Sequence, residues 1–127
     1  MLRTLSSVRF ARLHPSGIQI LSALSATSEW FNIDYTITCG SEGHKSEDPH
    51  TLGKAFDVRT KDLSDVELRN LMSEMRAHLG PGFTVLYEVR STAGLSFARA
   101  GLVSLVNPKA SAEHLHVQVK KGSNDSD

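Results

Sequence analysis

SDVELRNLMSEMRAHLGPGFTVLYEV, residues 64–89, contains a whole helix followed by a whole strand, and its reading sets the fold class of the chain. Ser64 and Glu67 have the spacing of a capping box, in which each side chain satisfies a backbone N–H of the first turn. Leu68, Leu71, Met72, Met75 and Leu79 then recur three or four residues apart on one stripe, and Gly80-Pro81 cannot continue a helix. The spacing predicts a helix over 64–79 and a strand over 83–89.

Working outward, Ile18, Leu21, Leu24 and Phe31 recur at near-helical intervals, with Ile20 and Trp30 widening the face. A helix over 16–31 is expected, entered by the turn His14-Pro15-Ser16. Residues 33–39 (IDYTITC) alternate and are rich in β-branched side chains, so they read as a strand. A polar loop over 40–53 follows, then alternation resumes over 54–59, with Ala55 and Asp57 on one face and Phe56 and Val58 on the other. Residues 114–120 (HLHVQVK) alternate strictly enough for a further strand. Helix, strands, helix, strands imply an α+β fold, an antiparallel sheet carrying helices on one side. The segment 91–109 is long for a connection and is expected to wall a cleft.

The bulk composition narrows the function classes. At 127 residues the chain is long enough for one core and too short for two. A single domain over 8–121 is expected, with a polar, disordered tail over 122–127. Basic and acidic residues balance at 14 each, so no overall field draws the chain to nucleic acid or anionic membrane. The single cysteine, Cys39, excludes an internal disulfide framework and a four-cysteine zinc site. Any metal is therefore expected on histidines and carboxylates. Residues 1–13 carry three arginines and no apolar run long enough for a signal or a membrane span, so a soluble protein without its own export signal is expected.

Six histidines are more than a neutral core needs, and three of them fall in two short segments that also hold carboxylates. In HTLGKAFD, residues 50–57, a fully extended chain would hold His50 and Asp57 about 23 Å apart on opposite faces. They can share an ion only if the chain folds back, and Gly53 supplies backbone angles closed to other residues. In EHLH, residues 113–116, the two histidines are two apart and face one side of a strand. Two nitrogen ligands, or one ligand and one acid, both fit that spacing. Two histidines, one carboxylate and an open position suit a catalytic zinc ion, whose bound water has a pKa lowered toward about 7. A further carboxylate, Glu113, would take the water's proton. On a regular strand Glu113 points away from His116, so it must sit at the bend by Ser111-Ala112. His114 fits a hydrogen-bond donor, an oxyanion stabiliser or an exposed strand residue. The helical His-Glu-x-x-His signature of common zinc proteases is absent.

These segments resemble a known family. Residues 50–57 look like the His-x-x-Gly-x-Ala-x-Asp element of the zinc D-Ala-D-Ala peptidases, and residues 113–116 resemble their later Glu-x-x-His and His-x-His element. The run EGHKSE, residues 42–47, is similar to the hedgehog signalling domain, which shares that fold, and to short phage peptidases. The resemblance implies zinc on His50, Asp57 and His116, Glu113 as base, and an activity on peptidoglycan stem or cross-bridge peptides; His114 beside them is the catalytic candidate for stabilising the oxyanion. His44 and Lys45 are the residues expected to hold a substrate carboxylate. Two departures weaken strict carboxypeptidase specificity: Asp48 stands where a serine is usual, and residues 40–44 lack an arginine. An endopeptidase cutting inside the stem, such as after L-Ala, fits equally well. The competing readings are a zinc amidase and a hedgehog-like module that keeps zinc for stability and cuts nothing. The expected partner is a peptidoglycan peptide at the cell wall, with no nucleic acid, no membrane and a monomeric chain.

Overall fold

A computed structural model describes residues 1–10, 13–39, 49–50 and 53–120. The expectations for His44, Lys45 and the tail lie outside them. The elements run β1 (Leu2–Thr4), α1 (Pro15–Phe31), β2 (Tyr35–Cys39), β3 (Ala55–Arg59), α2 (Asp65–Leu79), β4 (Phe83–Val89), α3 (Phe97–Ala100), β5 (Leu105–Val106) and β6 (His114–Val119). The α+β class holds, but the sheet is mixed. Its strand order is β1-β2-β3-β6-β4-β5, antiparallel through the four central strands and parallel at both edges. The parallel edges come from segments too short to show a period: three residues that precede the expected domain start, and two inside 91–109. Among the described residues no helix is long and apolar enough to cross a membrane.

α2 forms as its sequence dictates. The Ser64 hydroxyl accepts from Glu67 N, Glu67 Oε1 accepts from Ser64 N, and Leu68, Leu71, Met72 and Met75 are buried. α1 also forms, but turned from its expected face. Ser16, Gly17, Ile20, Ala23, Leu24, Thr27 and Ser28 are buried, whereas Ile18 and Trp30 are exposed. Small residues let this face approach the sheet closely, and that closeness outweighs the larger side chains on the other side. His14, which reads as a plain surface residue, caps α1 by accepting from Ser16 N at its Nδ1.

Core and site occupy opposite faces of the sheet. Phe56 and Val58 of β3, Val85 and Tyr87 of β4, and Leu115 and Val117 of β6 are buried in one cluster with the apolar faces of α1 and α2. The alternate residues Asp57, His114, His116 and Glu88 lie on the other face.

The contact between α1 and the loop before β3 is tight enough to test. A Cβ built on Gly17 would stand 1.9 Å from the carbonyl oxygen of Gly53, a backbone atom that cannot swing aside. Gly17→Ala is expected to destabilise the fold by about 1–3 kcal/mol, the usual range for overpacking, despite the better helix propensity of alanine. The midpoint of urea unfolding measures it; an unchanged or raised midpoint would show that the loop gives way without loss.

Candidate metal centre

The loop that delivers His50 is closed by its own backbone. Gly53 N donates to His50 O at 3.0 Å and Lys54 N to Pro49 O at 2.8 Å. Gly53 has φ +70°, a left-handed conformation that favours glycine, as the fold-back between His50 and Asp57 requires. The same glycine's carbonyl accepts from His14 N at 3.3 Å, which fastens the loop to the start of α1.

Asp57 and His116 arrive from paired strands. In the antiparallel register of β3 and β6, Asp57 stands opposite His116 and Arg59 opposite His114. Cross-strand neighbours share a face, so all four side chains lie on the side away from the helices. His50 Nε2 is 3.1 Å and His116 Nδ1 2.9 Å from the same atom, Asp57 Oδ1. The two imidazole rings meet edge to face with centroids 5.0 Å apart. The structure therefore brings His50, Asp57 and His116 together, as their spacing in the sequence leads one to expect.

This convergence has a chemical requirement. The other nitrogen of His116, Nε2, lies 2.8 Å from the Gln118 Oε1 acceptor and so carries a hydrogen. Nδ1 then faces the carboxylate either with a second proton or with its lone pair toward a cation shared with Asp57. Burial lowers the pKa of His116, but its hydrogen bonds to Asp57 and Gln118 outweigh burial and raise it. Burial likewise pushes Asp57 up, and the hydrogen bonds from His116 and His50 overcome it, holding the carboxylate well below its ordinary range. Imidazole nitrogens and an ionised carboxylate are donor types that a metal cation takes, and the contact with Gln118 sets the tautomer that turns Nδ1 to Asp57.

Sequence reasoning omitted a fourth residue. Cys39, His50 and Asp57 each offer a ligating atom, and these atoms all lie within 4.8 Å of one another. Cys39 is delivered by a register shift: Ile37 pairs with Val58, yet Cys39 pairs with Asp57. The extra residue, Thr38, makes a β-bulge that turns Cys39 from the core face of Ile37 to the face of Asp57. A single cysteine excludes a disulfide framework and a four-cysteine site but not one thiolate among other ligands, so limiting the metal to histidines and carboxylates went too far.

No family model, curated protein or solved structure matches the chain. The centre is accordingly characterised by its own geometry.

His114 is on the metal side. Its Nδ1 is 3.0 Å from Ala112 O, an atom that can only accept, so Nδ1 carries the hydrogen. Nε2 is turned toward Asp57 Oδ1 at 3.9 Å and Glu88 Oε2 at 3.6 Å. Glu88, a further acid that the sequence did not single out, also accepts from Asn107 Nδ2 at 3.2 Å.

Glu113 is held differently from its expected swing toward the metal. Its Oε1 accepts from Thr60 Oγ1 at 2.9 Å, Tyr87 OH at 3.0 Å and Arg99 Nη2 at 2.6 Å. Thr60 and Tyr87 are fully buried, and Tyr87 points from β4 to the helix side of the sheet. Burial would raise the Glu113 pKa, but the Arg99 guanidinium and the two hydroxyls lower it. Among the described residues no hydrogen bond or ion pair joins Glu113 to His50, Asp57, His114 or His116. Long-range anchoring by Arg99 leaves no periodic trace in a sequence, so nothing in the pattern announced it.

A cleft of about 510 Å³ opens beside the centre, lined by Cys39, Asp57, Arg59, Lys61, Glu113 and His114 among others. The segment 91–109 does not wall this cleft. Ala93, Leu95 and Pro108 line a neighbouring depression that reaches Glu113 from the β4 side.

Proposed function

We propose that the chain is a zinc-dependent peptidase with a D-Ala-D-Ala peptidase and hedgehog-like fold, hydrolysing peptidoglycan stem or cross-bridge peptides at the cell wall. The observation that carries the reading is the meeting of His50 Nε2 and His116 Nδ1 on one oxygen of Asp57 at the edge of a cleft. A zinc ion held by these residues supplies a water of lowered pKa and polarises a carbonyl.

The chain's own groups do the rest. His114, with its Nδ1–H occupied by Ala112 O, presents Nε2 on the Asp57 side. It is the group that takes a proton from the attacking water and returns it to the leaving amine. Glu113 was the expected base; its Oε1 already accepts three hydrogen bonds and orders the start of β6, while Oε2, in a residue that lines the same cleft, keeps Glu113 as the rival base to His114. Arg59 and Lys61 in the cleft wall suit the carboxylates of a stem peptide.

A second reading is a zinc-stabilised binding module without catalysis. It is favoured by Cys39, a further protein donor beside His50 and Asp57, since the more positions protein fills the fewer remain for water.

Digestion of purified peptidoglycan by the wild type, His114→Ala and Glu113→Gln, with zinc content determined on each, separates these readings. The wild type is expected to release new amino termini, and His114→Ala to retain zinc while losing about 10²–10⁴-fold in rate. Glu113→Gln, assayed as folded protein, is expected to stay within about tenfold of the wild type, far from the loss that removal of a general base gives. Loss of activity in Glu113→Gln with His114→Ala active would restore Glu113 as the base. One bound zinc and no released ends in the wild type would establish the binding module.

A further inference from the structure

We infer that Cys39 is a protein ligand of the metal, its thiolate joining His50 and Asp57 in the donor set. The inference rests on the metal reading above and is independent of hydrolysis.

Two separate observations carry it. One is proximity: Cys39 offers its sulfur within 4.8 Å of ligating atoms of both His50 and Asp57. The other is the backbone device that puts it there. A strand that kept its alternation from Ile37 would bury Cys39 in the core, and the shift from Ile37↔Val58 to Cys39↔Asp57 reverses its facing. A bulge interrupts a ladder, and here the interruption aims a thiol at the most densely ligating part of the molecule.

The chemistry is consistent with this assignment. One imidazole nitrogen, one carboxylate oxygen and one thiolate form a donor set that zinc takes, with a fourth position left over. Coordination breaks the S–H bond and forms the metal–sulfur bond, and one proton passes to solvent. Cys39 is half-buried and lines the cleft, which leaves it within reach of incoming solutes.

Cobalt binding to the metal-stripped full chain tests the inference without any assay of activity. The wild type is expected to develop the near-ultraviolet charge-transfer band of a cobalt thiolate, and Cys39→Ser to bind cobalt without that band. Zinc affinity, by competition with a chromophoric chelator, is expected to fall about 100-fold in Cys39→Ser and Cys39→Ala, the upper end of what outer-sphere changes alone produce. Because the chain has a single cysteine, its reaction with a thiol reagent reports on Cys39 directly. Saturating zinc is expected to slow that reaction at least tenfold, roughly the protection a bound thiolate has over a free one. Cobalt bound by the wild type with no thiolate band overturns the inference and leaves the three-ligand centre standing. Failure of the wild type to bind cobalt or zinc at all overturns both.

Discussion

Arg99→Met is expected to lower the stability of the fold by about 3 kcal/mol, the lower end of what breaking a buried ion pair costs. Arg99 comes from a helix of only four residues, yet its side chain is 9% exposed and every arm of the guanidinium is engaged. Nε donates to Tyr87 OH at 3.1 Å, Nη1 to Leu63 O at 2.9 Å and Asp65 Oδ1 at 3.1 Å, and Nη2 to Thr60 O and Glu113 Oε1, both at 2.6 Å. Methionine fills most of the volume but leaves two carbonyls, of Thr60 and Leu63, and two carboxylates, of Asp65 and Glu113, short of donors. Glu113 retains 22% side-chain exposure and two hydroxyl donors, which keeps the loss at the lower end of the range.

The pH dependence follows from the direction of the Glu113 shift. Its folded pKa is lowered, so the stability it contributes is fully present above its ordinary pKa of 4.5 and is lost as the pH falls through the lower folded value. Without Arg99 much of that shift disappears. Urea unfolding of wild type and Arg99→Met is therefore expected to differ most near neutral pH and to converge in acid. A difference that stays constant from neutral pH to about pH 3, well below the ordinary carboxylate range, would mean that methionine acts through packing alone.

Legibility in the sequence followed the range of the interactions. The capping box of α2, the fold-back at Gly53 and the alternation of β6 each depend on neighbours within a few residues, and each forms as its residues predict. Pairing Asp57 with His116 needed a second inference, that two segments nearly sixty residues apart would become adjacent strands, and the two motifs together supplied it. What escaped notice depends on register and distance. The bulge at Thr38 is an event of the pairing between β2 and β3, so no property of residues 33–39 by themselves reveals it. Arg99 meets Thr60, Leu63, Asp65, Tyr87 and Glu113 from a segment without periodicity. Trp30, the largest apolar side chain of α1, is exposed because the face of Gly17, Ala23 and Thr27 comes closer to the sheet. Hydrophobic spacing identifies a helix, but the closeness of packing chooses the face.

The two halves of the site consequently do different work. Glu113 and Arg99 belong to a framework that holds the start of β6, whereas Asp57, His50 and His116 form the half to which the proposed cation binds. β6 links the two: Glu113, at its start, is anchored through Oε1 to Thr60, Tyr87 and Arg99 while lining the same cleft as Asp57 and His114, and His114 and His116 project from the strand on the face of Asp57.

Asp57→Asn is expected to abolish the response of stability to zinc. Asp57 Oδ1 is the single atom on which both His50 and His116 converge, and Asp57 is the only anion in contact with those two rings among the described residues. A carboxamide of the same shape keeps the packing but has no charge, and its oxygen is a weak ligand for zinc. Zinc affinity is expected to fall by more than about 100-fold, beyond the usual effect of changing an outer-sphere partner. For the wild type, zinc at a hundred times its dissociation constant should raise the unfolding free energy by about 2.7 kcal/mol, since the unfolded chain lacks the assembled site. The same zinc concentration should leave Asp57→Asn almost unmoved. Unfolding of both proteins in chelator and in zinc gives the four free energies required. In chelator the variant also removes the carboxylate to which His50 and His116 are hydrogen-bonded, so its baseline must be measured and not assumed. Equal stabilisation of the two proteins by zinc would place the ion away from Asp57, and with it would go the convergence of His50 and His116 as the basis of a metal centre.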